Sequence, residues 1–423
     1  MPCLAPSAPA AWTPAAEMMI AVALERAKLL RRARRRARIL GASASAATAL
    51  LCATAAMGGT LGDVRTVALP GSGTPGAITA GPDGNLWFTE VGTRTIGRMT
   101  PQGKATFFQL PRPESLAVGI TAGPDGNVWF ADAGADSIGR VTPAGAVSEF
   151  PLPTAKATPS AITSGPDGNL WFTEVAAAAV GRITPAGLIS EFPLPEGAGR
   201  PGAIAAGPDG NLWFTEGEAN AIGRITPTGS IGQFPLPAAD GLPFGITAGP
   251  DRNLWFYTIG KPSRIGRITS GGKVSEFQIP YSGSSPGAIV AGPDGNLWYT
   301  ESAANAIGRI TPTGRISELT LAGRENVPGG ITRGPGGSLW FTEEKSNAIG
   351  HIRIARESAS RCVVPRLRGR TVAEARQLLR RAHCALGKVS GHGAHGRKAV
   401  VVNQAPAADR TLPAGAKVSL RLG

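Results

Sequence analysis

Short apolar runs alternate with turn residues along this chain, and the alternation itself repeats. The phrase Gly81-Pro82-Asp83-Gly84-Asn85-Leu86-Trp87-Phe88-Thr89-Glu90 returns seven times, with tryptophans at Trp87, Trp129, Trp171, Trp213, Trp255, Trp298 and Trp340. Neighbouring tryptophans are 42 residues apart, except for 43 between Trp255 and Trp298. That period is too long for a helical-hairpin array, and strand-sized runs within it predict β structure. In each unit an apolar stretch such as Gly76-Ala77-Ile78-Thr79-Ala80 meets a Pro-Asp-Gly-Asn turn, whose residues tolerate positive φ, and then the run ending in Thr-Glu. A third run (Thr95 to Thr100) and a fourth (Ala105 to Leu110) complete the unit. Four short antiparallel strands predict a propeller blade, which cannot bury its faces alone and stacks on its neighbours. The expected fold class is all-β: a seven-bladed β-propeller with four-stranded blades over residues 62–356, followed by a small α+β domain over 357–423.

One orphan run, Val64 to Pro70, precedes the first phrase and resembles the fourth strands Glu149 to Pro153 and Glu191 to Pro195. The last unit, after Ala348 to Ile352, lacks such a strand. The N-terminal run is therefore expected to complete the C-terminal blade and fasten the ring.

Glycine (58) and proline (36) fall at fixed phases of the repeat, so they mark turns and not disorder. The net charge of +14 is uneven: residues 1–60 hold 8 basic and 2 acidic groups, residues 357–423 hold 13 and 3, and the remainder 22 and 24. A near-neutral ring argues against nucleic-acid binding, which needs a basic stripe. A monomer is expected. The basic flanks suit anionic polymers or membrane surfaces, or serve solubility alone.

Residues 1–60 are expected to form a signal peptide or a retained signal-anchor. Arg31 to Arg38 is a basic n-region, Ile39 to Met57 an apolar run, and Ala53-Thr54-Ala55 a small-x-small site. The run begins some 30 residues in, so Met18 or Met19 is an alternative start, and Leu51 before Cys52 does not fit a lipoprotein signature. Export is the expectation, to a secreted or cell-envelope location. At the other end, Thr371-Val372-Ala373-Glu374 is a capping box opening a helix through about His383, with strand-like runs at Ala399 to Gln404 and Lys417 to Leu422. Val364-Pro365, Gly369 to Thr371, Glu374-Ala375, Gln404-Ala405-Pro406 and Pro413-Ala414-Gly415 resemble the pattern of a PASTA domain. That resemblance implies an extracytoplasmic module with peptidoglycan or an anionic wall polymer as partner. With Cys3 and Cys52 lost in processing, Cys362 and Cys384 remain as an even pair in a small exported module, expected as a disulfide, with two reduced buried thiols as the alternative.

The Trp-Phe-Thr-Glu, Ile-Gly-Arg-Ile-Thr and Glu-Phe-Pro-Leu-Pro phrases resemble the virginiamycin B lyase family, seven-bladed propellers that open streptogramin B antibiotics by elimination with Mg2+. The resemblance implies two histidines and two glutamates near the central channel, the histidines in the slot after Pro at the start of the innermost strand of the last two blades. Here the seven slots hold Gly76, Val118, Ser160, Gly202, Phe244, Gly287 and Gly329. Where the family's first metal-binding glutamate is expected stands Val327, with Glu325 displaced nearby, and the second matches Glu343. Glycine can neither ligate a metal nor move a proton, and elimination needs a base within hydrogen-bond reach. No catalytic residue is assigned; Glu343 is the metal ligand, and Mg2+ the cofactor, only if the protein is an active lyase. An unidentified small molecule or protein is the expected ligand of the propeller face.

Remaining chemistry follows the repeat. The strand-end acids Glu90, Asp132, Glu174, Glu216, Glu301 and Glu343, interrupted by Thr258, are the candidate binding residues, as an acidic rim for cations or a cationic ligand. The competing expectation pairs them with Arg98, Arg140, Arg182, Arg224, Arg267 and Arg309 as structural ion pairs. The tryptophans are expected in the core between blades. His351 replaces an arginine in the seventh blade, and His392 and His395 form a weak metal-binding pattern. The fifth blade departs most, from Asp251-Arg252-Asn253 to Tyr257 through Ser263.

Overall fold

The computed structural model describes residues 63–238, 241–280, 285–323, 326–354, 362–391, 399–412 and 415–423. The signal region 1–60, Glu325, His392 and His395 lie outside the described residues. The chain divides into two compact units at Ile354/Ala355.

The first unit contains seven four-stranded antiparallel sheets. Six are continuous in sequence, running from Thr74–Ala80 through Ala105–Gln109 in blade 1 to Pro286–Ala291 through Ile316–Thr320 in blade 6. The seventh takes three strands from the end of the repeat, Pro328–Arg333, Leu339–Glu343 and Ala348–Arg353, and its outer strand from Asp63–Ala68. Thr66 lies opposite Gly350 in that ladder, and Leu69 N donates to Asn347 O at 2.9 Å. The orphan run thus closes the last blade.

The first five residues of every second strand are buried, as in Leu170–Glu174, because neighbouring blades cover both of their faces. The tryptophans occupy the seams: Trp87 packs with Ile120, Val128 and Phe130 of blade 2. Six are at most 1% exposed, and burying such an indole contributes about 4–6 kcal/mol. The phenylalanine one residue on needs the third-strand glycine opposite it. A Cβ on Gly97 would overlap the Phe88 ring, and the same holds for Gly181 against Phe172. At the turn, Gly84 has φ +75°, which accounts for the Asp-Gly signature.

In the second unit, helix Val372–Arg381 carries a complete capping box between Thr371 and Glu374. It packs on a three-stranded sheet in which Lys417–Leu422 runs parallel to Ala385–Gly391 and antiparallel to Val401–Ala405. Cys362, on the short entry strand, is bonded to Cys384 just beyond the helix, inside the core formed with Val364, Leu367, Leu379 and Val418. No helix among the described residues is long and apolar enough to cross a membrane.

Candidate functional site

Inner and second strands of a blade run antiparallel, so the start of one lies beside the end of the other: Pro75 opposite Glu90, Pro159 opposite Glu174, Pro328 opposite Glu343. The seven slot residues therefore mark one face of the ring. Their backbone is fixed by second-strand side chains. Thr89 Oγ1 accepts from Ala77 N at 3.0 Å, while Thr173, Thr215, Thr300 and Thr342 donate to Gly202, Phe244, Gly329 and Gly76 oxygens of the following blade at 2.7–2.8 Å. The last of these joins blade 7 to blade 1. Tyr257, replacing threonine in blade 5, makes the same bridge to Gly287 O at 2.8 Å.

Neighbouring side chains crowd the two slots where a histidine is expected. A Cβ on Gly287 would lie 2.7 Å from Thr300 Oγ1 and 3.2 Å from Ser302 Oγ, and a Cβ on Gly329 would overlap Glu344 Oε1. Glu344 is the carboxylate that reaches the slot, and sequence reasoning missed it. It stands in the turn just past strand Leu339–Glu343, whereas Glu343, the residue that closes the strand, lies opposite Pro328. Glu343 is 1% exposed, accepting from Thr66 Oγ1 at 3.1 Å and Ser346 Oγ at 2.9 Å. Val327 adopts a left-handed φ of +54° and its carbonyl accepts from Glu344 N at 3.1 Å. With valine at one expected ligand position, the Glu343 carboxylate held by hydroxyls, and glycines at both imidazole positions, these residues do not fit Mg2+. Among the described residues no group of three or more histidines, cysteines or acids is arranged to hold a metal.

The strand-end acids are not an open rim. Glu90, Asp132, Glu174, Glu216, Glu301 and Glu343 are each at most 5% exposed. They face their own blade: Leu116 N donates to Asp132 at 2.7 Å, Ser285 N to Glu301 at 3.1 Å, and Gln233 Nε2 to Glu216. Burial pushes Glu90 up to about 7, a hydrogen bond from Thr93 opposing it. Burial, then the like charges of Glu191 and Asp136, push Glu174 up to about 8, and neither of its oxygens has a hydrogen-bond partner.

Pairing of these acids with the repeated arginines is also corrected. Register places Arg98 opposite Trp87 and Thr95 opposite Glu90, so arginine and acid occupy opposite ends of the blade. The guanidinium of Arg98 stacks 5.5 Å from the Trp87 ring and donates to Pro143 O of the next blade, and Arg140, Arg182 and Arg267 repeat the arrangement. Where an arginine meets an acid it is the turn aspartate, Asp294 for Arg309 at 3.0 Å. That aspartate also accepts from the indole: Trp87 Nε1 lies 3.0 Å from Asp83 Oδ1. Burial raises Asp83, but the combined bonds from Trp87 and Asn85 win and hold it below the usual carboxylate value. In blade 7, His351 stacks on Trp340 at 4.2 Å.

The virginiamycin B lyase family matches residues 56–222 and 198–366, and the PASTA domain matches 363–423. A streptogramin B lyase structure is 38% identical, with a TM-score of 0.66, over 69% of this chain and 98% of that one. Virginiamycin B lyase from Staphylococcus aureus gives the same identity and TM-score over 69% and 99%. Hydrazine synthase of Kuenenia stuttgartiensis, 14% identical with a TM-score of 0.57, shares the fold alone. No curated protein matches the chain.

Proposed function

The chain belongs to the virginiamycin B lyase family, and from that premise we propose that it is a binding or scaffold member of the family that has given up the elimination reaction and works at the bacterial cell envelope. One observation carries this reading: the two slots where the family resemblance places the imidazoles hold Gly287 and Gly329, which offer neither a ligand nor a proton acceptor. Among the described residues, neither slot offers the imidazole base that the elimination reaction of the family is expected to use. The alternative is an active Mg2+-dependent C–O lyase that linearises streptogramin B, favoured by 38% identity to lyases over nearly their whole length. Incubating purified protein with virginiamycin B and Mg2+ separates the two. Intact cyclic antibiotic is expected, and linear product refutes the proposal.

The PASTA domain supports an extracytoplasmic location with peptidoglycan or an anionic wall polymer as partner. The full chain is expected to sediment with insoluble peptidoglycan, and a chain ending at residue 356 to stay in the supernatant. Equal behaviour of the two removes the anchoring role.

A further inference from the structure

Six blades share one device at the face opposite the slots. The indole nitrogens of Trp87, Trp129, Trp171, Trp213, Trp255 and Trp298 each donate at 2.9–3.0 Å to the aspartate of their own turn. Blade 7 keeps the indole and lacks the acceptor, because its turn reads Gly334-Pro335-Gly336-Gly337-Ser338, with Gly336 in the place of aspartate. One anchor is kept, Gly334 N donating to Ser338 O at 2.9 Å as Gly81 N does to Asn85 O at 2.8 Å, while Gly336 takes a φ of +71° that the aspartates at its place do not. The packing of the glycine on the indole edge is retained too. A Cβ on Gly81 would meet Trp87 Cδ1, Trp87 Nε1 and Asp83 Oδ1, whereas a Cβ on Gly334 would meet Trp340 Cδ1, Nε1 and Cγ, with no carboxylate oxygen among its nearest atoms.

Two ring nitrogens are left over: an indole N–H, which can only donate, and an imidazole Nε2, which donates in one of its two neutral tautomers. Trp340 is 4% exposed, and its Nε1 has no hydrogen-bond partner; the same is true of Nε2 of His351, whose ring is stacked on it. A buried donor without an acceptor costs about 1–3 kcal/mol, so an occupant from outside gains what the aspartate supplies elsewhere. Gly336, at the tip of the turn above the indole, is exposed. The charged groups around the gap differ from those of the other blades, since both the turn aspartate and the arginine stacked on the indole are gone. Arg333 replaces the alanine or serine of the other six inner strands, and Arg65 and Arg353 lie close enough to His351 to depress its protonation beyond the effect of burial, with Asp63 opposing them.

We propose that blade 7 carries a carboxylate-binding site, formed by Trp340 Nε1 and His351 Nε2 beneath the Gly336-Gly337 turn, that accepts a small organic acid or an acidic side chain where the other blades use their own aspartate. A carboxylate fits better than a cation because both free groups can donate and the surrounding arginines are positive.

The test reads the indole N–H resonances of the full chain by NMR, with Trp340→Phe assigning the signal. Trp340 is expected apart from the six carboxylate-bonded indoles and is expected to move toward them, saturably, as acetate is added. Acetamide at equal concentration leaves it in place. A blocked Ala-Glu-Ala peptide, run beside acetate, identifies an acidic side chain as the source if it saturates at lower concentration, and a small acid if acetate does. The double variant Gly336→Asp/Ser338→Asn, which rebuilds the turn of the other blades, is expected to place the Trp340 signal with the six and to abolish the response. No movement of Trp340 with either carboxylate, an equal movement with acetamide, or an unaltered response in the double variant overturns the proposal.

Discussion

Replacing Glu174 with glutamine should make the propeller more stable, and increasingly so as the pH rises. Glu174 is fully buried at the end of its strand, both oxygens lack partners, and its pKa is pushed from 4.5 up to about 8 by burial and then by Glu191 and Asp136. The folded protein therefore holds this proton more tightly than the unfolded chain. The resulting stabilisation is complete below pH 4.5 and is lost as the pH climbs through about 8. The full shift corresponds to a ceiling of about 5 kcal/mol, and relaxation around the site reduces what is measured to about 2 kcal/mol or more. Glutamine keeps the shape, stays neutral, and offers an amide to the two neighbouring carboxylates. Urea unfolding followed by tryptophan fluorescence at pH 5 and pH 9 gives the comparison: midpoints of variant and parent nearly coincide at pH 5, and the variant is clearly higher at pH 9. A constant gap across that range refutes the buried, proton-holding state of Glu174.

Deleting residues 62–70 removes the outer strand of blade 7 and the contacts of Thr66 and Leu69 with Glu343 and Asn347; a large fall in melting temperature is expected, and an unchanged thermal curve rules out this closure. Val327, a β-branched residue at φ +54°, holds a conformation that costs about 1–3 kcal/mol. Val327→Asn, which tolerates that region, is therefore expected to raise the unfolding free energy from urea titration by about 1 kcal/mol, and a lowered value would show that valine packing outweighs the strain.

The architecture was legible because a blade is local. Turn, strand alternation and the glycine facing Phe88 all lie within one 42-residue unit, and the missing outer strand was visible as a surplus at the other end of the chain. Side-chain partnerships across a blade were less legible. Glu90 and Arg98 share a period, which suggested an ion pair, yet period says nothing about which end of a strand a residue occupies; the register that sets Arg98 opposite Trp87 decides it. Glu344 was not legible because it follows the repeated phrase, in a turn position where no other blade has an acid. The unpartnered nitrogen of Trp340 is seen only by comparing seven turns in three dimensions, since the loss of an aspartate in one of them reads as drift.

The segment that locks the ring is synthesised first and used last. Thr66 must wait for Glu343, 277 residues later, before it finds its partner. Until then both the early strand and the growing stack present unsatisfied edges, and in a crowded compartment each can be taken by the matching piece of another molecule. Swapped or linked rings are thus the characteristic assembly fault of such a chain, and the interval between the two halves of blade 7 is when it is most exposed to it.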